Sequence, residues 1–188
     1  DQHRYYIQIY TDASESETGA TGASFYLPAY GAERSFRIPT KISVSTAELL
    51  AIKAALEYIQ TILLLHNVKQ IAVLTDSLNA VKSLSSGNTF MYTNITTDTL
   101  EIVHTLQKQN IEVKFIWIPS HCNIEGNERA DELAKTATRK EIPDIILKPL
   151  VNDFYNDIEK YIDNEWQTIY NKASTAKHYK ILEPTVNR

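Results

Sequence analysis

The chain has one cysteine, one methionine and five glycines in 188 residues, and no apolar run longer than a few residues. A single cysteine, Cys122, excludes an internal disulfide and points to a reducing compartment. A membrane-spanning helix needs about 20 apolar residues, which no stretch approaches; the longest runs resemble Ile62-Leu63-Leu64-Leu65. The opening Asp1-Gln2-His3-Arg4 lacks the apolar core of a secretory signal, and no initiator Met precedes it. The expectation is a segment of a longer polypeptide working inside the cell, in the nucleus or cytoplasm. On that view the sequon Asn94-Ile95-Thr96 is a chance match. An excess of positive charge is missing as well. The net charge is −4, with 13 Lys and Arg against 15 Asp and Glu in residues 1–140, and 6 against 8 in residues 141–188. Non-specific nucleic-acid binders are usually basic, so composition alone argues against such a partner.

What is present is ordinary globular material, 43% hydrophobic and 22% charged, with no repeat or low-complexity segment. Residues 5–11 are rich in β-formers and end at Asp12. A polar, Gly-containing turn at 14–22 follows, then short strands at 23–27 and 34–38 bounded by Pro28 and Pro39. These predict a three-stranded antiparallel meander. Leu49, Ile52, Leu56, Ile59 and Leu63 recur at helical spacing and predict one apolar helix face. Gln70–Thr75 is apolar nearly throughout, as suits a strand buried on both sides. A short helix at 77–85 ended by Gly87, a helix at 95–108, a strand at 113–118 stopped by Pro119 and an Ala-rich helix at 128–139 complete the pattern. Three early strands followed by alternating helix and strand imply a mixed five-stranded sheet flanked by helices, an α/β fold. Residues 1–140 form the expected main domain. Residues 141–149, with Pro143 and Pro149, read as a linker. Phe154, Ile158, Ile162, Trp166 and Ile169 form an amphipathic stripe in a C-terminal helical extension over 141–188. Trp117 sits in an apolar setting and is expected in the core.

Four acids occupy particular places: Asp12 at the end of the first strand, Glu48 in the first turn of the long helix, Asp76 directly after the buried strand, and Asp131 early in the late helix. Singly, each has a structural explanation. Asp12 suits a turn, Glu48 completes a capping box with Ser45, Asp76 suits a helix N-cap, and Asp131 suits a helix dipole. Together they point elsewhere. If the first and fourth strands pair, these carboxylates can converge, and a cluster of like charges needs divalent cations to neutralise it. Mg²⁺ prefers oxygen ligands, and a pair of ions about 3.5–4 Å apart suits phosphodiester hydrolysis.

Thr11-Asp12-Ala13-Ser14, Ser45-Thr46-Ala47-Glu48-Leu49, Thr75-Asp76-Ser77 and His121…Gly126-Asn127-Glu128-Arg129-Ala130-Asp131-Glu132-Leu133-Ala134 resemble, in order, the four blocks of type 1 ribonuclease H. The resemblance spans roughly residues 5–139. It implies the ribonuclease H fold and metal-dependent endonucleolytic cleavage of the RNA strand of RNA/DNA hybrids. It further implies that Asp12 bridges two Mg²⁺ ions, replaceable by Mn²⁺, with Asp131 on the nucleophile side and Glu48 and Asp76 on the leaving-group side. The ends left are a 5′-phosphate and a 3′-hydroxyl. His121, in a loop ended by Gly126, would assist proton transfer or product release. Ser14, Ser45, Ser77 and Asn127 flank the ligands and are candidates for contacts to 2′-hydroxyls or phosphates. The tail and loops are similar to the ribonuclease H segment of non-LTR retrotransposon polyproteins, which implies a reverse transcriptase domain as partner.

Two departures matter. Ala13 stands where the family more often has Gly, and residues 85–93 hold no Lys or Arg where cellular enzymes carry a basic, Trp-bearing loop. Two rival functions share the fold: another nuclease or transposase, and an inactive tethering module. Asp12-Ala13-Ser14 lacks the Asp-x-Glu of a proofreading exonuclease, and an inactive copy typically loses a carboxylate. Cys122 beside His121 could form a thiol dyad, but no further partner is apparent.

Overall fold

A computed structural model describes residues 6–39, 42–63, 68–86, 93–145, 147–149, 151–173, 181 and 185. Its strands are β1 (Ile7–Glu15), β2 (Thr21–Leu27), β3 (Ala32–Ile38), β4 (Gln70–Thr75) and β5 (Glu112–Trp117). Its α-helices are α1 (Val44–Ile62), α2 (Leu78–Ser86), α3 (Thr93–Lys108), α4 (Glu125–Ala137) and α5 (Tyr155–Lys172), with a 3₁₀ turn at Val151–Phe154 ahead of α5. The sheet order is β3-β2-β1-β4-β5. β1–β2 and β2–β3 are antiparallel, while β1–β4 and β4–β5 are parallel. This is the expected meander joined to two parallel strands.

The sheet's two faces bury different residues because strand side chains alternate. Ile9 packs with Phe25, Leu27 and Ile38 against Leu49, Ile52, Leu56 and Ile59 of α1, all fully buried. Tyr10, on the other face of β1, packs with Ala72, Leu74 and Ala130 under α4. Two glycines let α4 lie close. A Cβ on Gly22 of β2 would come within 2.3 Å of the Ala134 carbonyl oxygen, and one on Gly126 within 2.2 Å of the Tyr10 ring. Contacts that close require hydrogen in place of a methyl group. Gly126 therefore lies inside the first turn of α4 rather than ending the preceding loop, the place its residue type suggests.

Element types follow the sequence; several ends do not. β1 runs three residues past Asp12, because β2 goes on pairing with it through Glu15 after the parallel β1–β4 pairs stop at Thr11. Tyr5 and Gly87, the expected strand start and helix stop, lie outside the described residues. β5 is half-buried, since the order of the sheet places it at an edge. Trp117 is 48% exposed, not part of the core as its apolar neighbours suggest.

The segment after α4 is strapped to the β3 edge. Asp144 N–H donates to the Arg37 carbonyl at 2.9 Å, and Arg37 N–H donates to the Asp144 carboxylate at 2.7 Å. The Arg37 guanidinium also donates to the Lys140 carbonyl. Ile145 and Leu147 pack on the core. By contrast Ile158, Trp166 and Ile169 of the α5 stripe stand exposed.

Candidate active site

Strand pairing brings the first two acids together. Asp12 follows the last parallel pair, Thr11 with Thr75, and Asp76 leaves β4 directly after that same pair. Glu48 arrives from the second turn of α1. The helix starts at Ser43, whose hydroxyl accepts from Thr46 N–H at 3.2 Å, so Ser45 is not its cap. Freed from a capping role, Glu48 turns inward, and its Oε1 accepts from Ala13 N–H at 3.2 Å. One carboxylate oxygen from each of Asp12, Glu48 and Asp76 lies within 4.8 Å of the others.

The trio is buried and costly as anions. Asp12 is 4% exposed and Glu48 5%. Burial first, then repulsion from Asp76 and Asp131, pushes the Asp12 carboxyl up to about 8; Lys135 and the Ala13 N–H oppose the rise. Burial, then Asp12 and Asp76, raises Glu48 well above the usual carboxylate range. Glu48 Oε2 is buried without a hydrogen-bond partner, and the nearby Thr75 hydroxyl offers only partial relief. A buried carboxylate oxygen left unpaired within a group of acids fits a cation ligand. Among the described residues no basic side chain forms an ion pair with Asp12, Glu48 or Asp76; Lys135 pairs with Asp131 instead.

Asp131 sits beside the trio, close enough to raise Asp12. Its own tightest grouping is with Glu128 and His121, whose ligand atoms lie within 4.8 Å of one another. Lys135, one turn along α4, pairs with Asp131 at 2.6 Å. His121 is exposed in a loop where it takes a left-handed backbone (φ 53°), as does Asn123 (φ 57°). Cys122 between them is exposed and free.

The remaining candidates differ in setting. Ser14 and Ser45 are half-buried near the cluster's strand and helix. Ser77 is the residue that caps α2, its hydroxyl accepting from Ala80 N–H at 3.3 Å, which corrects the N-cap expected of Asp76. Asn127 is 3% exposed, and its amide donates to Asp76 Oδ2 at 3.4 Å. Trp117, Glu128 and Lys135 join the site without having been expected there from sequence. Lys135 was legible as a partner four residues from Asp131 on a helix. The Trp117 indole N–H donates to the Asp76 carbonyl at 3.0 Å, a contact visible only once β5 is paired beside β4.

Comparison with known proteins agrees with this geometry. A ribonuclease H family model matches residues 4–139. Pol polyproteins of equine infectious anemia virus (strain Wyoming and isolate 1369) are 30% identical over 129 residues. The match takes in 69% of this chain and 10% of each relative, so the chain spans about a tenth of their length. The crystal structure of RNase H1 from the halophilic archaeon Halobacterium salinarum NRC-1 shares the fold, with a TM-score of 0.53 at 22% identity, covering 70% of this chain and 96% of that one. With the family model spanning the whole sheet and its acidic cluster, this chain belongs to the ribonuclease H family.

Proposed function

We propose that the protein cuts the RNA strand of RNA/DNA hybrids internally, with two Mg²⁺ ions held by Asp12, Glu48, Asp76 and Asp131, leaving 5′-phosphate and 3′-hydroxyl ends. The carrying observation is the buried trio Asp12, Glu48 and Asp76, whose ligand oxygens lie within 4.8 Å of one another. An all-oxygen set of this kind suits Mg²⁺, with Mn²⁺ as substitute. When bound, such ions stabilise charge on the attacking and leaving oxygens of a phosphodiester and make water a better nucleophile.

The chain's own groups set the stage for that chemistry. Asp12 feels the charge of both Asp76 and Asp131 and would hold a cation together with either. Asn127 holds Asp76 by its carboxylate while Trp117 holds its carbonyl, so this side chain is fixed before a cation arrives. His121 sits at the exposed margin by Asp131, placed to give or take a proton at an imidazole nitrogen as product leaves. Ser14, Ser45 and Ser77 lie around the cluster as candidates for the 2′-hydroxyl contacts that separate RNA from DNA. Asn127, being buried, is better suited to orient Asp76 than to meet substrate. The likeness to Pol polyproteins supports a role beside a reverse transcriptase domain of one polyprotein, and the similarity of tail and loops to non-LTR retrotransposon segments makes a retrotransposon the proposed source.

The test is a cleavage panel of RNA/DNA hybrid, duplex DNA, duplex RNA and single strands, each with Mg²⁺, Mn²⁺ or EDTA. Cutting of the hybrid's RNA strand alone, abolished by EDTA, is the expected result. Equal cutting of duplex DNA would overturn the substrate assignment, and activity in EDTA would overturn the metal.

A further inference from the structure

Asp153 lies beyond the last residue matched by the family model, yet it is buried against the start of the helix that carries Glu48. Its Oδ1 accepts from Ser43 N–H at 2.9 Å and from the Thr46 hydroxyl at 2.6 Å. Ser43 and Thr46 also meet each other. The Thr46 N–H donates to Ser43 Oγ at 3.2 Å, and the two hydroxyls lie 3.0 Å apart. Proton accounting fixes the direction of that last contact. Thr46 gives its hydroxyl proton to Asp153, so Ser43 must donate to Thr46. Each hydroxyl then has one role as donor and one as acceptor, and Asp153 is the acceptor at the end of the chain. The negative charge also sits where a helix N-terminus favours it.

The same short stretch is held from two other directions. Thr21 of β2 donates its hydroxyl to the Ile42 carbonyl at 3.0 Å, and Glu48 is fixed on Ala13 N–H. The turn from Ile42 to Glu48 is therefore clamped by β2 behind, β1 ahead and Asp153 from outside. Thr46 is fully buried, so removing Asp153 leaves the Ser43–Thr46 hydroxyl pair one acceptor short and takes the partner of Ser43 N–H as well. Finding partners for both donors again requires the start of α1 to shift, and Glu48 lies two residues past Thr46.

We infer that Asp153 is a positioning residue for Glu48, so that the 3₁₀ turn Val151–Phe154 is part of the active-site framework and not a detached tail. The inference rests on the metal-site reading above.

The test compares the full chain with Asp153→Ala, Asp153→Asn and Thr46→Val in two measurements: amide hydrogen exchange without metal, and cleavage of a hybrid against Mg²⁺ concentration. A lost charge-assisted hydrogen bond corresponds to about tenfold or more in local opening, so exchange at Thr46, Ala47 and Glu48 should rise by that factor in Asp153→Ala, with α4 unchanged. The Mg²⁺ concentration for half-maximal cleavage should rise roughly threefold to tenfold, less than the about 10–100-fold for a group bonded directly to a ligand. Asp153→Asn keeps an acceptor oxygen and should recover most of the protection. Thr46→Val, which removes one donor without removing the carboxylate, should shift both readings in the same direction, so the inference stands if Asp153→Ala fails to fold. A merely structural contact would lower the melting temperature and leave the Mg²⁺ dependence as it was. If the wild type responds to Mg²⁺ and both variants respond at the same concentration, the positioning role is overturned. If the wild type shows no Mg²⁺ dependence, the metal reading itself fails.

Discussion

Asp12 and Glu48 are held where ionised carboxylates are expensive, and burial raises both carboxyls above the usual carboxylate range. The Asp12 carboxyl is raised to about 8, chiefly by burial. Its unfolded value is near that of a free aspartate, about 4. Between those values the unfolded chain has released the proton and the metal-free fold has not, so stability falls as pH rises from about 4 to about 8 and is level beyond. Each tenfold difference in proton affinity between the two states is worth about 1.4 kcal/mol, which makes the penalty on the order of several kcal/mol at alkaline pH. Asp12→Asn removes a ligand and the penalty together. It should abolish cleavage while making the metal-free protein more stable at pH 8. In EDTA, the wild type should lose clearly more melting temperature between pH 5 and pH 8 than the variant; equal losses would show that Asp12 is not the group that titrates. Mg²⁺ at pH 8 should recover stability in the wild type only. His121 carries a different expectation. It is exposed and outside the trio, so His121→Ala should slow turnover by roughly 10²–10⁴-fold, the usual worth of acid–base assistance, without erasing it. Steady-state rates decide this, and a loss as complete as that of Asp12→Asn would give His121 a more central role.

At the scale of elements, periodicity identified what each segment is but not where it stops. Of the stripe, Leu49, Ile52, Leu56 and Ile59 are fully buried, as the spacing implied, because burial of one face dictates the residues that repeat along it, while Leu63 caps the helix end and is half-buried. Ends are set by neighbours instead. β1 outruns its expected end because β2 keeps pairing with it, and α1 takes Ser43 rather than Ser45 as cap because Asp153 and Thr21 fix the approach. The acidic blocks were legible because the carboxylates stand at strand and helix termini. The groups that hold them, Trp117 on the Asp76 carbonyl and Asp153 under α1, come from elements far away in sequence and leave no periodic mark. Residues 141–149 show the same limit. Their prolines suggest a free linker, yet Asp144, Ile145 and Leu147 attach to the sheet and core. A chain ended after Lys140 should therefore lose both the strap and the bonds Asp153 makes to Ser43 and Thr46, at about 2–4 kcal/mol, and melt roughly 5–15 °C below the full chain. Ended after Phe154, it should melt close to the full chain, since the stripe residues Ile158, Trp166 and Ile169 are exposed and bury little. Calorimetry of the two truncations separates these outcomes; equal melting temperatures would mean that the strap and the Asp153 bonds contribute nothing.

Over the whole molecule, charge sets how well this domain grips a hybrid by itself. The net charge is −4, and the acids of the site crowd the place where a phosphate must enter. Many cations among the described residues are already engaged. Lys53 pairs with Glu57 and Asp98, Lys114 with Glu112, Arg129 with Glu33 and Glu132, Lys135 with Asp131, and Lys140 with Asp144. Arg34 lies over the Tyr58 ring, and the Arg37 guanidinium is spent on the Lys140 carbonyl. Residues 85–93, where a basic loop would extend the grip, contain no Lys or Arg. Affinity for a duplex comes largely from counterions released by phosphate contacts, each steepening the dependence of log K on log salt by about 0.9. With so many cations engaged, few such contacts are open to this domain. The isolated chain should bind hybrid with micromolar or weaker affinity, and with a shallow salt slope equivalent to roughly two or three phosphates. Fluorescence anisotropy on Asp76→Asn with Mg²⁺ present measures this while sparing the substrate. Joining the proposed polymerase partner, or grafting a basic loop at residues 85–93, should tighten binding by about tenfold or more, since linkage makes the second contact intramolecular and a loop adds phosphate contacts directly. Nanomolar binding with a steep slope by this chain alone would mean that the paired lysines and arginines let go of their acids to meet the backbone. The ion pairs at Arg129 and Lys135, on the helix that carries Asp131, are the first that such a result would call into question.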